Sequence, residues 1–238
     1  MAAYNGEKYI TAQLRSILSQ LELDDEVIVV DDASTDDTCR IVKSIRDVRV
    51  HLMRHLSNQG VLRSFEDAIR QASGDILFLA DQDDLWMDDK VSTVLQVFQS
   101  NPDADIIASD AVLIDQDGTL TGPSYYATRG KFQTGTFANV LRCSYLGCTM
   151  AFRTRILSRV LPFPKGMDIL HDIWIGTSNS IAGGKTLYVD RPLVQYRRHK
   201  ENATGNAQLT ISRRLRVRWS LCRALASSWL NSRRVNGH

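Results

Sequence analysis

Asp75-Ile76-Leu77-Phe78-Leu79-Ala80-Asp81-Gln82-Asp83-Asp84-Leu85-Trp86 decides the fold of this chain. Ile76–Ala80 is apolar at every position, which predicts a strand buried on both faces. It ends in Asp81-Gln82-Asp83-Asp84. A buried strand that delivers acids and an amide in succession is costly unless they bind something. Asp81 and Asp83, two residues apart, can converge on one hard cation. Mg²⁺ or Mn²⁺ takes oxygen ligands and bridges phosphate oxygens, and so neutralises a diphosphate as its charge develops. The alternative for an isolated Asp-x-Asp is a solvated acidic loop.

The same rhythm extends in both directions. Upstream, Glu26–Asp31 (EVIVVD) is a second buried strand. Ser34, Thr35 and Asp36 offer N-caps for a helix to about Arg46. A strand over Val48–Met53 and a helix over Val61–Gln71 follow, the helix broken by Ser73-Gly74. Downstream, Lys90–Gln99 reads as helix and Ile106–Ile114 as strand. Asp115–Gly135 reads as loop. Beyond it come a helix over Thr136–Arg142, a strand over Leu146–Phe152, a helix over Asp172–Ile181, and strands over Leu187–Val189 and Val194–Arg197. At the start, Ile10, Leu14, Ile17, Leu18 and Leu21 place a helix over Glu7–Leu21. This alternation predicts an α/β domain with a mostly parallel sheet between helices. In such sheets ligands bind beyond the carboxyl ends of the strands, where Asp31-Asp32 and Asp81–Asp84 both fall. Met1–Gly6 reads as the end of a strand and its turn. The expectation is a severely shortened first strand or a start lying upstream; the alternative is a loose terminus.

The 238 residues are 43% hydrophobic and 24% charged, the profile of a globular protein with a sizeable core. No apolar run is long enough to span a bilayer, and no secretory leader is visible. Cys39, Cys143, Cys148 and Cys222 form no CxxC pair, so neither a structural zinc site nor a disulfide framework is expected, and a reducing, cytoplasmic setting fits. After Glu201 there is no acid, while Arg213, Arg214, Arg216, Arg218, Arg223, Arg233 and Arg234 follow. The chain therefore divides into a catalytic-type domain over residues 1–202 and a basic amphipathic helical tail over 203–238. The tail's arginines and tryptophans suit a membrane interface or packing on the domain itself. Nucleic-acid binding is not expected.

Ala3-Tyr4-Asn5-Gly6-Glu7-Lys8-Tyr9, Val30-Asp31-Asp32-Ala33-Ser34-Thr35-Asp36 and Asp81-Gln82-Asp83-Asp84-Leu85-Trp86, in this order and spacing, resemble glycosyltransferase family 2 with its GT-A fold. The resemblance covers about residues 1–202. It departs from the family at the N-terminus, where a full apolar strand precedes the position of Tyr4. It implies transfer of a sugar from a nucleotide-sugar donor to a hydroxyl of a glycan or lipid-linked saccharide, with inversion and with Mn²⁺ or Mg²⁺. Ala3 and Tyr4 would line the nucleobase pocket. Asp32 would meet the base, with Asp31 beside it. Asp83 would hold the metal, with Asp81 at the metal or donor sugar, and Arg63 would lie near the diphosphate. On the residues alone, Asp32 can accept hydrogen bonds from a base or ribose or serve as a helix cap. Arg63 can equally be a solvated helix arginine.

The resemblance also gives Asp172, in His171-Asp172-Ile173-Trp174, the role of catalytic base; the other use of Asp172 is as a first-turn helix acid. His171 would orient the site or pack. His199, in Tyr196-Arg197-Arg198-His199-Lys200-Glu201-Asn202, would be a further metal or diphosphate ligand, and Arg197, Arg198 or Lys200 would pair with phosphate; a surface basic turn is the alternative. Leu146–Phe152 would floor the acceptor side, its Gly147 admitting a sugar, or be a core strand. The motifs look most like bacterial rhamnosyltransferases of polysaccharide and O-antigen assembly, which implies dTDP-L-rhamnose. The rival readings are a sugar-phosphate nucleotidyltransferase, which wants a glycine-rich basic loop where Tyr4-Asn5-Gly6-Glu7 stands, and a non-catalytic nucleotide-sugar-binding or scaffold protein.

Overall fold

A computed structural model describes residues 1–164, 170–199, 218–223 and 225. The elements in chain order are β1 (Ala2–Ala3), α1 (Ile10–Leu18), β2 (Val27–Asp31), α2 (Thr38–Ser44), β3 (Val50–Arg54), α3 (Val61–Gln71), β4 (Ile76–Phe78), β5 (Leu85–Trp86), α4 (Lys90–Ser100), β6 (Ala104–Ile114), α5 (Tyr125–Arg129), α6 (Thr136–Leu141), β7 (Met150–Arg153), α7 (Leu157–Val160), α8 (His171–Ile181) and β8 (Lys185–Arg197).

The first half is parallel, as the alternation predicts. β2 lies between β1 and β3, and both pairings are parallel. A parallel bridge from Ala2 to Asp81 links this sheet to the second, ordered β4-β7-β6-β8-β5. There the pairing is mixed. β6 and β8 are parallel, whereas β7 runs antiparallel to both β4 and β6, and β5 antiparallel to β8. Hydrophobic pattern reports that a strand is buried but not which way its neighbour runs, so this mixture was not legible beforehand.

Helices cover both faces. Along β4 the side chains alternate: Leu77 and Leu79 join Phe65, Ile69, Phe152, Trp174 and Ile175, whereas Phe78 and Ala80 face the cluster of Ile10, Leu14, Ile17, Trp86 and Val91. Ile10 and Leu14 are fully buried, which stabilises α1 by about 1.5–3 kcal/mol for each side chain. The expected helix from Glu7 starts only at Ile10, because Gly6 to Tyr9 is drawn into a turn by bonds to the neighbouring loop.

Other expectations change in detail. α5 lies inside the segment expected to be loop, capped by the Ser124 side chain; its five residues are too few to show a helical period. Leu146–Phe152 is not one strand: Gly147–Thr149 is a 3₁₀ turn and the strand begins at Met150. The two strands expected over 187–197 are one strand, β8, bent by bulges near Asp110 of its partner. β1 has two residues against five in β2 and β3. Of the tail, Leu221 and Leu225 are buried in the core cluster that contains Phe65 and Trp174, while Trp219 is 64% exposed. The remaining tail residues lie outside those described, as does Lys200. Among the described residues, no helix is long and apolar enough to cross a membrane.

Candidate active site

The carboxyl ends of β1, β2 and β4 converge, and three loops interlock there. Asn5 has φ of +49°, a conformation that Asn tolerates better than most residues. Its backbone N–H donates to Ser34 Oγ (2.9 Å), and its side-chain oxygen accepts from Thr35 N (2.9 Å). Gly6 N donates to Thr38 Oγ1, Glu7 N to Asp36, and Asp37 N back to Glu7. None of Ser34, Thr35 and Asp36 is the N-cap of α2: that place is taken by Asp37, which makes no side-chain cap, while Asp36 accepts from Thr38 N in the turn before it. Gln82 clasps Tyr4 from the other side. Its Oε1 accepts from Tyr4 N (2.8 Å) and its Nε2 donates to Tyr4 O (2.9 Å). A Cβ on Gly6 would lie 2.2 Å from Gln82 Oε1, so only glycine permits the clasp. The tyrosine itself is 46% exposed and Ala3 is buried beneath it.

Asp31 and Asp32 are both buried. Asp31 accepts from Ser34 N and pairs with Arg54. Asp32 is committed to the loop after β3: it accepts from Gln59 N and Gly60 N, both at 2.7 Å, and meets His55 Nδ1 at 2.8 Å. Gly60, with φ of +87°, can present its N–H in this way without strain. A base reaching Asp32 would therefore meet a carboxylate already holding three partners. The alternative of a helix cap is not its use either. Arg63, in the first turn of α3, pairs with Asp67 (2.8 Å) and Glu66 (3.5 Å).

The acid cluster is closed from behind by β8. His199 Nε2 lies 2.7 Å from Asp83 Oδ2, so the sequence-distant pair is brought together. Arg197 is buried: its backbone N–H donates to Asp84 Oδ1, its Nε to Asp83 O and its Nη1 to Asp115 O, and its guanidinium covers the Tyr9 ring. It shapes the acidic loop, which leaves its expected use as a phosphate ligand without support. Lys90 is fully buried, donating to Cys148 O at 2.6 Å over the Trp86 ring. Asn5, Gln82, Lys90 and Arg197 are the site residues that motif reading missed or misassigned. Their only sequence signal was a polar residue inside or beside a motif.

Electrostatics make the cluster receptive to a cation. Burial, with the charges of Asp83 and Asp172, raises Asp81 to about 7. Burial, with Asp83 and Asp81, also pushes Asp84 well up, and Asp84 Oδ2 is buried without a partner. Burial lowers Lys90 to about 8, so it is a weak counter-charge. Ligand atoms of Asp81, Asp84 and Cys148 lie within 4.8 Å of one another, and Asp83, between the two acids in the chain, pairs with His199. Three carboxylates and an imidazole suit a hard or borderline divalent ion such as Mn²⁺ or Mg²⁺. Such an ion would reverse these upward shifts.

Asp172 opens α8 and is also buried. Its Oδ2 accepts from Gly147 N (3.0 Å) and its Oδ1 from Ile173 N (2.7 Å). Burial outweighs these donors and raises it to about 6. Gly147 does not open a place for a sugar, because a Cβ there would lie 2.6 Å from His171 Nε2. His171 packs rather than orients. It stacks on Phe65 at 3.7 Å, neither ring nitrogen has a partner, and burial lowers it to about 3, so it is neutral. Cys148 is buried with its thiol pushed well up, which excludes a thiolate nucleophile there.

Comparison with known proteins agrees with this geometry. The dTDP-rhamnosyl transferase RfbG of Shigella flexneri is 27% identical over 86% of this chain and 73% of its own length. The Escherichia coli UDP-Glc:alpha-D-GlcNAc-diphosphoundecaprenol beta-1,3-glucosyltransferase WfaP is 26% identical over 87% and 78%. An uncharacterized glycosyltransferase of Nostoc, alr2836, is 25% identical, and the chain spans about half of its length. Among solved structures, S. aureus TarS 1–349 in complex with UDP-GlcNAc superposes with a TM-score of 0.74 at 20% identity, over 97% of this chain and 65% of TarS 1–349. A mannosyltransferase of Pyrobaculum calidifontis in complex with GDP-Man and Mn2+ gives 0.63 at 23% identity, over 84% and 56%. At these identities the superpositions establish the shared GT-A fold. The model of glycosyl transferase family 2 matches residues 1–161, and the chain belongs to that family.

Proposed function

We propose that the protein is a metal-dependent, inverting glycosyltransferase of cell-surface polysaccharide synthesis. The observation that carries this reading is Asp172: a buried carboxylate raised to about 6, close enough to the acid cluster for its charge to be felt at Asp81. A general base works best with a pKa near the working pH. Asp81, Asp83, Asp84 and His199 would hold Mn²⁺ or Mg²⁺, which would supply charge neutralisation at the donor diphosphate. Asp172 takes the proton of the acceptor hydroxyl as its oxygen attacks the anomeric carbon. The bond from that carbon to the diphosphate oxygen breaks with its electron pair, and the nucleoside diphosphate leaves from the opposite face.

Ala3, Tyr4 and the Asp31–Asp32 loop would form the nucleobase side. Asp32 acts there by fixing the loop from His55 to Gly60. Arg63 would reach the diphosphate only by giving up its pair with Asp67. RfbG, named a dTDP-rhamnosyl transferase, supports dTDP-rhamnose as donor. WfaP is as similar and its name specifies UDP-Glc with a lipid-linked acceptor, so a glucosyl donor is the second reading. The exposed Trp219, with Arg223 over its ring, supports membrane-surface contact near a lipid-linked acceptor at the cytoplasmic face.

The test is a panel of dTDP-rhamnose and UDP-sugars with Mn²⁺, Mg²⁺ or EDTA, read by thermal shift and donor hydrolysis. One donor should stabilise the protein only with metal, and not in Asp83→Ala. No response from folded protein would leave the scaffold reading in its place. Pyrophosphate formation from a sugar phosphate and a nucleoside triphosphate would favour the nucleotidyltransferase.

A further inference from the structure

The stretch from Gly118 to Met167 carries no Asp or Glu, and it supplies the segments that lead to Asp172. Three of its cations serve the fold. Arg155 and Arg159 pair with Asp105, and Arg153 donates to Ala104 O and Phe98 O. Lys165 lies outside the described residues. Arg129, Lys131 and Arg142 remain. All three are exposed, and none has an acidic partner among the described residues.

These three are gathered rather than scattered. Arg129 ends α5, and its guanidinium lies over the Tyr125 ring, 4.8 Å from the centroid. Gly130 turns the chain with φ of +85°, and Lys131 follows. Arg142, just after α6, comes back onto that turn: a Cβ on Gly130 would lie 3.2 Å from its Nη2. The carbonyl end of α5 favours a cation, but a helix of five residues does not account for three. Like charges held together repel, and an anion between them removes that cost.

The group adjoins Asp172. Burial raises the half-buried Tyr125 hydroxyl to about 12, while Arg129 pulls it down and Asp172 pushes it up, so both charges are felt at one ring. Beyond Arg142 the chain runs on to Gly147, whose N–H donates to Asp172. Asp110, beneath α5, is buried and already accepts from Ala111 N and Tyr126 N.

We propose that Arg129, Lys131 and Arg142 bind a phosphate or diphosphate ester carried by the acceptor, with Tyr125 as the wall between that anion and Asp172. The acceptor class is then a saccharide phosphate ester, borne by a lipid or soluble. The inference rests on Asp172 as the base that faces the acceptor. Guanidinium groups grip phosphate through paired N–H donors. An ester held there fixes the accepting hydroxyl at the carboxylate, which is where orientation contributes to rate.

The experiment is calorimetric titration of the full chain, its donor side saturated with UDP or dTDP and Mn²⁺. The probes are decyl diphosphate, glucose 1-phosphate and decyl glucoside. Decyl diphosphate is expected to bind, and decyl glucoside to bind far more weakly. Arg129→Ala and Arg142→Ala should each weaken decyl diphosphate about tenfold, and the double variant about 100-fold. Arg129→Lys should lose less than Arg129→Ala. Amide exchange should slow at residues 125–130 and 142–146. Equal binding of glucose 1-phosphate would assign a soluble ester, and preference for decyl diphosphate a lipid-borne one. No binding of either phosphate ester, undiminished affinity in the double variant, or displacement by the nucleoside diphosphate would overturn the proposal. Asp172→Asn should bind decyl diphosphate at least as tightly as wild type, because a negative neighbour is gone. This readout needs no turnover. Turnover retained by Asp172→Asn therefore refutes the base, whereas undiminished binding in the double variant refutes the anion subsite alone.

Discussion

Asp172→Asn separates a catalytic base from a helix-capping acid, because only the base role predicts a large loss of turnover without a matching loss of stability. The carboxylate is raised from 3.8 to about 6 by burial, against the pull of Ile173 N and Gly147 N. The folded protein therefore holds this proton more tightly than the unfolded chain. The resulting stability is full below about 3.8 and is lost as pH rises through about 6. Two pKa units correspond to about 3 kcal/mol of penalty on the ionised form at neutral pH. Asparagine removes that penalty but turns an amide N–H toward one of the two donors, which costs about 1–3 kcal/mol. Asp172→Asn should thus unfold in urea at pH 7.5 within about 2 kcal/mol of wild type. Its nucleoside diphosphate release should fall by about 10²–10⁴-fold. In the wild type, kcat/KM should fall about tenfold per pH unit below about 6 as Asp172 takes up its proton. Retention of more than about a tenth of wild-type turnover by Asp172→Asn would refute the base role. So would a stability loss large enough to account for the missing activity.

Asp83→Ala should abolish metal-dependent stabilisation by the donor, and His199→Ala should weaken metal affinity about 10–100-fold; calorimetric titration with Mn²⁺ checks both, and wild-type affinity in Asp83→Ala would remove the proposed metal site. Asp32→Ala leaves Gln59 N, Gly60 N and His55 without their buried acceptor. It should cost about 2–5 kcal/mol in urea denaturation, and a loss under about 1 kcal/mol would mean that the loop does not depend on it. Gly6→Ala should destabilise by about 1–3 kcal/mol by displacing Gln82, whose Oε1 would lie 2.2 Å from the new Cβ. Gln82→Ala in the same chain should remove most of that cost, so an additive double mutant would argue against the clasp.

The candidate site was legible wherever a motif carries its chemistry in adjacent residues. Asp81 and Asp83 follow an apolar run, and such a run followed by acids reads as a buried strand ending at a ligand edge. Asp172 is a different case. Its place at the head of a helix was readable, but its raised pKa comes from burial under segments distant in sequence. Asp32 shows the opposite error. Its residue type suits a base or ribose, yet Gln59, Gly60 and His55 converge on it only through the β3–α3 loop.

By itself the sequence determined the layered α/β plan, the parallel first half, and the acids at the ends of β2 and β4, because burial on both faces and helical spacing are local properties of side-chain order. Only the tertiary structure decided the mixed pairing around β7, the meeting of His199 with Asp83, and the use of Arg197 as a backbone clamp. Each depends on which segments become neighbours. That is fixed by the packing of two helical layers against a twisted sheet, and no window of sequence contains it.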